Sequence, residues 1–134
     1  MNSIKKIFII GIGKLGASIA KELSCKGEDV VCIDKKAEAF NKLDDFCGFT
    51  QVGDALDLAF LEQTDIKSSK AVIITTNDDD VNIFLAHECF FLLSLKNIYI
   101  RLWDTDKSKL IQYTSIDAIY PFILSLDKLR EKLK

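Results

Sequence analysis

One histidine, one tryptophan and one proline occur in 134 residues. His87 has no serine, cysteine or aspartate beside it in the arrangement of a nucleophilic triad, so it reads as a packing residue. The four cysteines (Cys25, Cys32, Cys47 and Cys89) form no CxxC pair and sit near no histidine cluster. That argues against a zinc site and a thioredoxin-like couple. They read as reduced, buried, small hydrophobes of a cytosolic protein. Neither sign of charge dominates, with 18 lysines and arginines against 20 acids, so nothing electrostatic points to nucleic acid or an anionic membrane. No apolar run approaches the roughly 20 residues that span a bilayer, and direct membrane insertion is not expected. The start, "MNSIKKIFIIGIG", has the basic flank of a signal peptide, but Gly11, Gly13, Lys14 and Gly16 interrupt its apolar segment. A buried first strand is the better reading.

The composition, 49% hydrophobic and 28% charged, is that of a globular chain the length of one domain. Short apolar runs alternate with segments of helical period, the signature of βαβ units around a parallel sheet. Strands are predicted at Ile4–Ile10, Asp29–Asp34, Phe49–Val52, Lys70–Thr76, Asn97–Leu102 and Asp117–Tyr120. Helices are predicted at Lys14–Lys26, Ala37–Phe46, Leu56–Gln63, Asp78–Leu95 and Thr105–Tyr113, with a last one from Pro121. Leu15, Ile19 and Leu23 form the apolar stripe of the first helix, which Gly27 stops. No linker, repeat or low-complexity tract divides the chain. The expected fold is α/β, one doubly wound, Rossmann-like parallel sheet of about six strands in a single domain.

Gly11, Gly13 and Gly16 spell G-x-G-x-x-G between the first strand and the first helix, the context in which this pattern binds dinucleotides. Gly11 permits the tight turn, Gly13 lets a pyrophosphate approach the backbone, and Gly16 lets helix and strand pack closely. The helix N-terminus adds free N–H groups and partial positive charge. Lys14 lies in the first turn, where a cation opposes the helix dipole; it reads as a phosphate contact, the alternative being a solvated lysine. Asp34 ends the second strand and can accept hydrogen bonds from both hydroxyls of an adenosine ribose. Its charge favours NAD or a plain adenine nucleotide over NADP, although Lys35 and Lys36 soften that preference.

Gly53, Asp54 and Ala55 follow the third strand at the same sheet edge. Turn chemistry explains them equally well, with Gly53 taking an unusual φ and Asp54 capping a helix. Thr75, Thr76 and Asn77 begin "TTNDDDVN" after the fourth strand, again at the edge where open α/β sheets bind ligands. Asn77 or Asp78 makes a good N-cap there, and a cation held by the three aspartates is the alternative. The helix from Ile83 to Leu95 is apolar on nearly every face, so it is either buried against the sheet or covered by another subunit.

With these residues in place, the chain resembles the nucleotide-binding N-terminal domain of Trk/Ktr-type potassium uptake regulators, the RCK fold. "GIGKLG", "CIDKK", "GFTQVGDA", "ITTNDDDVN" and "NIYIRLWD" carry the resemblance in order. It implies a Rossmann-like, non-enzymatic domain over residues 1–134, without the C-terminal lobe of many relatives. It also implies homo-oligomers (dimers or larger rings), an adenine nucleotide (ATP, ADP or AMP) or NAD(H) as ligand, and a membrane K+ transporter or channel subunit as partner. The location implied is cytoplasmic, peripheral on the inner face of the cell membrane.

On this resemblance, Gly11 to Gly16, with Lys14 and Leu15 among them, hold phosphates. Asp34 holds the ribose, Asp54 with Ala55 lies beside the adenine, and Thr76 and Asn77 line the far side, with Lys35, Gly53 and Thr75 expected in the same cofactor site. Arg101 reaches phosphate or a neighbouring subunit. Lys14 stands where many relatives have arginine, which removes bidentate phosphate contact. Phe122 stands where Ktr-type regulators commonly carry a glutamate implicated in cation binding. The alternative functions are a small NAD-dependent oxidoreductase, or a fragment of one, and an S-adenosylmethionine-binding methyltransferase fragment.

Overall fold

In the computed structural model, which describes residues 5–134, the stretch Ile7–Ile10 forms the central strand, β1, and all four side chains are buried. The predicted start of this strand at Ile4 lies outside the described residues. The other strands are β2 (Val30–Asp34), β3 (Phe49–Val52), β4 (Ala71–Ile74), β5 (Ile98–Arg101) and β6 (Asp117–Ile119). All pair in parallel, in the order β3-β2-β1-β4-β5-β6. This is the doubly wound Rossmann order. Its direction reverses between β1 and β4, and the crossovers cover both faces of the central strands, while edge strand β3 is exposed throughout.

The two-residue period of each strand divides the core. Phe8, Ile10, Val31, Ile33, Val72 and Ile74 face one side, where they join Leu85 and Ala86 of helix α3 (Asp79–His87). Ile7, Ile9, Val30 and Cys32 face the other, against Ala17 and Ala20 of helix α1 (Lys14–Cys25). Burying each large side chain contributes about 1.5–3 kcal/mol.

Helix α1 starts where expected and is followed by Gly27 in a left-handed conformation at φ 89°. Its buried face, however, is Gly16, Ala17 and Ala20; Ile19 and Leu23 flank that face, and Leu15 is 36% exposed. The helix passes so close to β1 that only small residues fit between them.

Several predicted helices are shorter than their apolar period suggests. Ala37–Phe46 yields a 3-10 turn over Ala37–Lys42, and Thr105–Tyr113 yields another over Thr105–Ile111. Asp45 and Tyr113 beyond these turns have positive φ, which no helix continues through. Helix α2 (Leu58–Gln63) begins two residues later than predicted because Asp57, not Asp54, caps it through the Ala59 N–H. The predicted Asp78–Leu95 helix is α3 followed by a π-helical turn, Glu88–Leu92, and Ser94 turns left-handed at φ 55°. It is not buried all round, since Phe84, Phe91 and Leu92 are about half exposed or more. Pro121 opens helix α4 (Pro121–Lys132), none of whose residues is buried. The cysteines divide likewise: Cys32 and Cys89 are core residues, but Cys25 and Cys47 are exposed.

Candidate functional site

At the carboxyl ends of β1, β2, β3 and β4, a cavity of about 430 Å3 opens at the reversal of strand order. Its floor is the glycine turn. Gly11 has φ +91°, and a Cβ there would lie 2.8 Å from the Thr76 backbone nitrogen. A Cβ on Gly16 would lie 2.4 Å from the Gly11 carbonyl oxygen and 2.8 Å from Thr75 Oγ1. Thr75 Oγ1 itself donates to that carbonyl at 2.8 Å. Turn, helix and β4 are thus locked together at a spacing only glycine permits. Gly13 differs: a Cβ there would meet no atom within 4 Å, which leaves open space above the turn. It precedes α1 without a side-chain cap, and no acid occupies the first turn. The free N–H groups and the positive end of the helix dipole therefore face an uncompensated space suited to an anion.

Asp34 stands at the end of β2, with both carboxylate oxygens engaged by backbone. Oδ2 accepts from the Ile12 N–H and Oδ1 from the Lys36 N–H, each at 2.9 Å. A carboxylate has about four acceptor sites, so capacity remains for two hydroxyl donors. Asp54 Oδ1 accepts from the Leu56 N–H at 2.9 Å and makes a turn instead of the expected helix cap. Gly53 has no positive φ, and the Phe60 ring packs over it, 2.2 Å from where a Cβ would lie.

The opposite wall is the segment after β4. Asn82, fully buried, accepts from Thr76 N–H and Oγ1 and donates to the carbonyls of Thr76 and Arg101. Arg101 donates to the Thr76 carbonyl at 2.9 Å and to Asn77 Oδ1 at 3.0 Å. The three aspartates diverge. Asp78 caps α3, Asp79 accepts from the Trp103 and Asp104 N–H groups, and Asp80 pairs with Lys107 at 2.7 Å. They do not converge on a cation site.

Ten of the residues singled out from sequence line this one cavity: Gly11, Gly13, Asp34, Lys35, Gly53, Asp54, Ala55, Thr75, Thr76 and Asn77. Lys14, Leu15, Gly16 and Arg101 lie outside the lining. Lys14 and Leu15 are exposed on α1, Gly16 acts through close packing, and Arg101 braces the Thr76–Asn77 wall. Sequence reasoning missed Ile12, Ala39, Lys42, Leu56, Val81 and Leu85 as lining residues. The four-residue spacing of Val81 and Leu85 after the β4 motif was a usable signal; nothing local marks Lys42. His87 lies elsewhere, its Nε2 2.7 Å from the Leu110 carbonyl oxygen.

Residues 7–121 match the family described as the TrkA-N domain. A Trk system potassium uptake protein TrkA homolog from Pyrococcus abyssi is 30% identical over 107 residues, covering 79% of this chain and 47% of that protein. The chain thus spans about half the length of this curated relative. Among solved structures, GsuK bound to ADP is 26% identical with a TM-score of 0.81, over 97% of this chain and 34% of that one. The GsuK channel bound to NAD is 29% identical with a TM-score of 0.72, over 87% and 21% respectively. With a six-stranded parallel sheet, a glycine turn at its switch point and this match over most of its length, the chain belongs to the TrkA-N domain family.

Proposed function

We propose that this chain is a regulatory nucleotide-binding module of a Trk/Ktr-type K+ uptake system, taking an adenine nucleotide or NAD(H) in the carboxyl-edge cleft. The observation that carries the reading is the shared cavity of the open Gly13 turn and the Asp34 carboxylate. One end suits phosphate and the other ribose hydroxyls. The ADP-bound and NAD-bound GsuK structures support that ligand class.

No helix among the described residues is long and apolar enough to cross a membrane. By its likeness to the Trk potassium-uptake relatives, we place the chain at the cytoplasmic face, acting through a membrane transporter subunit. Exposed Phe84, Phe91 and Leu92, with the unburied α4, supply an apolar surface on which copies of the chain could associate. Occupancy regulates the transporter only insofar as the ligand binds one arrangement of the assembly better than another. A tenfold preference corresponds to about 1.4 kcal/mol per site. We read the role as non-catalytic, in keeping with the potassium-uptake relatives; His87 lies outside the cavity lining.

A thermal-shift panel of ATP, ADP, AMP, NAD+, NADH, NADPH and S-adenosylmethionine tests the ligand class. Adenine nucleotides or NAD(H) should raise Tm, because a ligand of the native state stabilises it. A response confined to NADPH or S-adenosylmethionine overturns the reading, as does NAD(P)H turnover with a small carbonyl or alcohol. K+ flux through a reconstituted transporter, measured with and without the stabilising nucleotide, tests the regulatory half.

A further inference from the structure

The geometry points to Lys42 as a cation that engages the phosphates of the bound ligand, one that lies outside the glycine fingerprint. This role rests on the adenine-nucleotide reading of the cleft. Lys14 follows Gly13 directly but stands outside the cavity lining, whereas Lys42, equally exposed, is part of it. Lys42 ends the 3-10 turn over Ala37–Lys42 and reaches back across the cleft, where Nζ donates to the Ile12 carbonyl oxygen at 3.5 Å.

Three features make this ammonium available. Its hydrogen bond is at the long, weak limit and is readily exchanged for a charged acceptor. Among the described residues, no carboxylate forms an ion pair with it. It contacts the glycine turn one residue before Gly13, the position with open space above it and the uncapped N-terminus of α1 behind it. Lys35 and Lys36 also line the cavity, but they flank Asp34 at the end of β2. Ile12 is therefore held at both ends, its N–H by Asp34 and its carbonyl by Lys42. A nucleotide whose ribose meets Asp34 would place its phosphates toward Gly13, within the reach of a lysine side chain already seated on the turn.

Isothermal titration of adenosine, AMP and ADP into wild type, Lys42→Gln and Lys42→Arg tests this role, with the unliganded Tm as a folding control. Lys42→Gln should weaken ADP about tenfold, the size expected for one charge-assisted hydrogen bond, and leave adenosine unchanged. Lys42→Arg should restore most of the loss. Equal weakening of adenosine and ADP would make Lys42 a clamp on the turn and overturn the assignment, as would an unchanged ADP affinity. If wild type binds ADP and Lys42→Gln binds it equally well, the Lys42 role alone falls. If wild type binds no adenine nucleotide, the reading of the cleft falls and this role with it.

Discussion

Asp34 Oδ2 accepts the Ile12 N–H at 2.9 Å across 22 residues of sequence. The carboxylate we propose for the ribose thus also holds the glycine turn in shape. On that proposal, replacing it has two separable consequences.

Asp34→Ala leaves the Ile12 and Lys36 N–H groups without their acceptor. The cost should be about 1–3 kcal/mol, seen as a lower Tm of the unliganded protein. Asp34→Asn keeps one acceptor oxygen and should lower that Tm less. Both variants should lose the nucleotide-induced rise in Tm. A full rise in Asp34→Asn would remove this carboxylate from the binding site.

Gly13 and Gly16 separate binding from folding. Gly16→Ala drives a methyl into the Gly11 carbonyl and Thr75 Oγ1, and should lower the urea midpoint by an amount equivalent to about 1–3 kcal/mol. Gly13→Ala meets no atom within 4 Å, at φ −86°, so its stability should stay within about 0.5 kcal/mol of wild type. Its nucleotide affinity should nevertheless fall, because the methyl occupies the space above the turn. Wild-type affinity in Gly13→Ala would mean that phosphate does not approach there.

Glu88 is buried in the π-helical turn, and its Oε2 has no hydrogen-bond partner among the described residues. Burial raises its carboxyl above the ordinary value, so between the unfolded and folded values the native chain binds a proton that the unfolded chain has released. Its contribution to stability is therefore fullest below the unfolded value and declines as pH rises through the folded one. Glu88→Gln should be more stable than wild type at pH 7, with the difference shrinking toward pH 4. Tm profiles measured across this range decide the point; parallel curves would count against an unfavourable charge.

The thiols should divide two and two. Burial pushes Cys32 up to about 12, and burial together with the Glu88 charge does the same to Cys89, whereas Cys25 and Cys47 are exposed. A thiol reagent at pH 8 should modify two cysteines of the native protein quickly and the other two only in denaturant. Four equally fast thiols, read by intact mass, would contradict this packing.

What the sequence determined by itself was local or periodic. Gly11 and Gly27 were legible as left-handed turns, and Gly16 as a close approach, because each requirement acts within a few residues of chain. The apolar run of β1 announced a buried strand, and the alternation of apolar runs with helical segments announced a doubly wound sheet. Helix lengths were less legible, since apolar period continues through Asp45 and Ser94 although their positive φ ends regular structure.

Tertiary structure decided which residues meet. Asp54 and Asp57 are equally good caps in sequence, and only the path of the chain out of β3 selects Asp57. Lys14, placed in the fingerprint by sequence, stands outside the cavity lining of the folded chain. Lys42, 30 residues from the turn it touches, is brought there by the β1–β2 register and the 3-10 turn that follows. Glycine spacing is written in backbone geometry and can be read locally; a side chain's reach across a cleft exists only after two strands have paired.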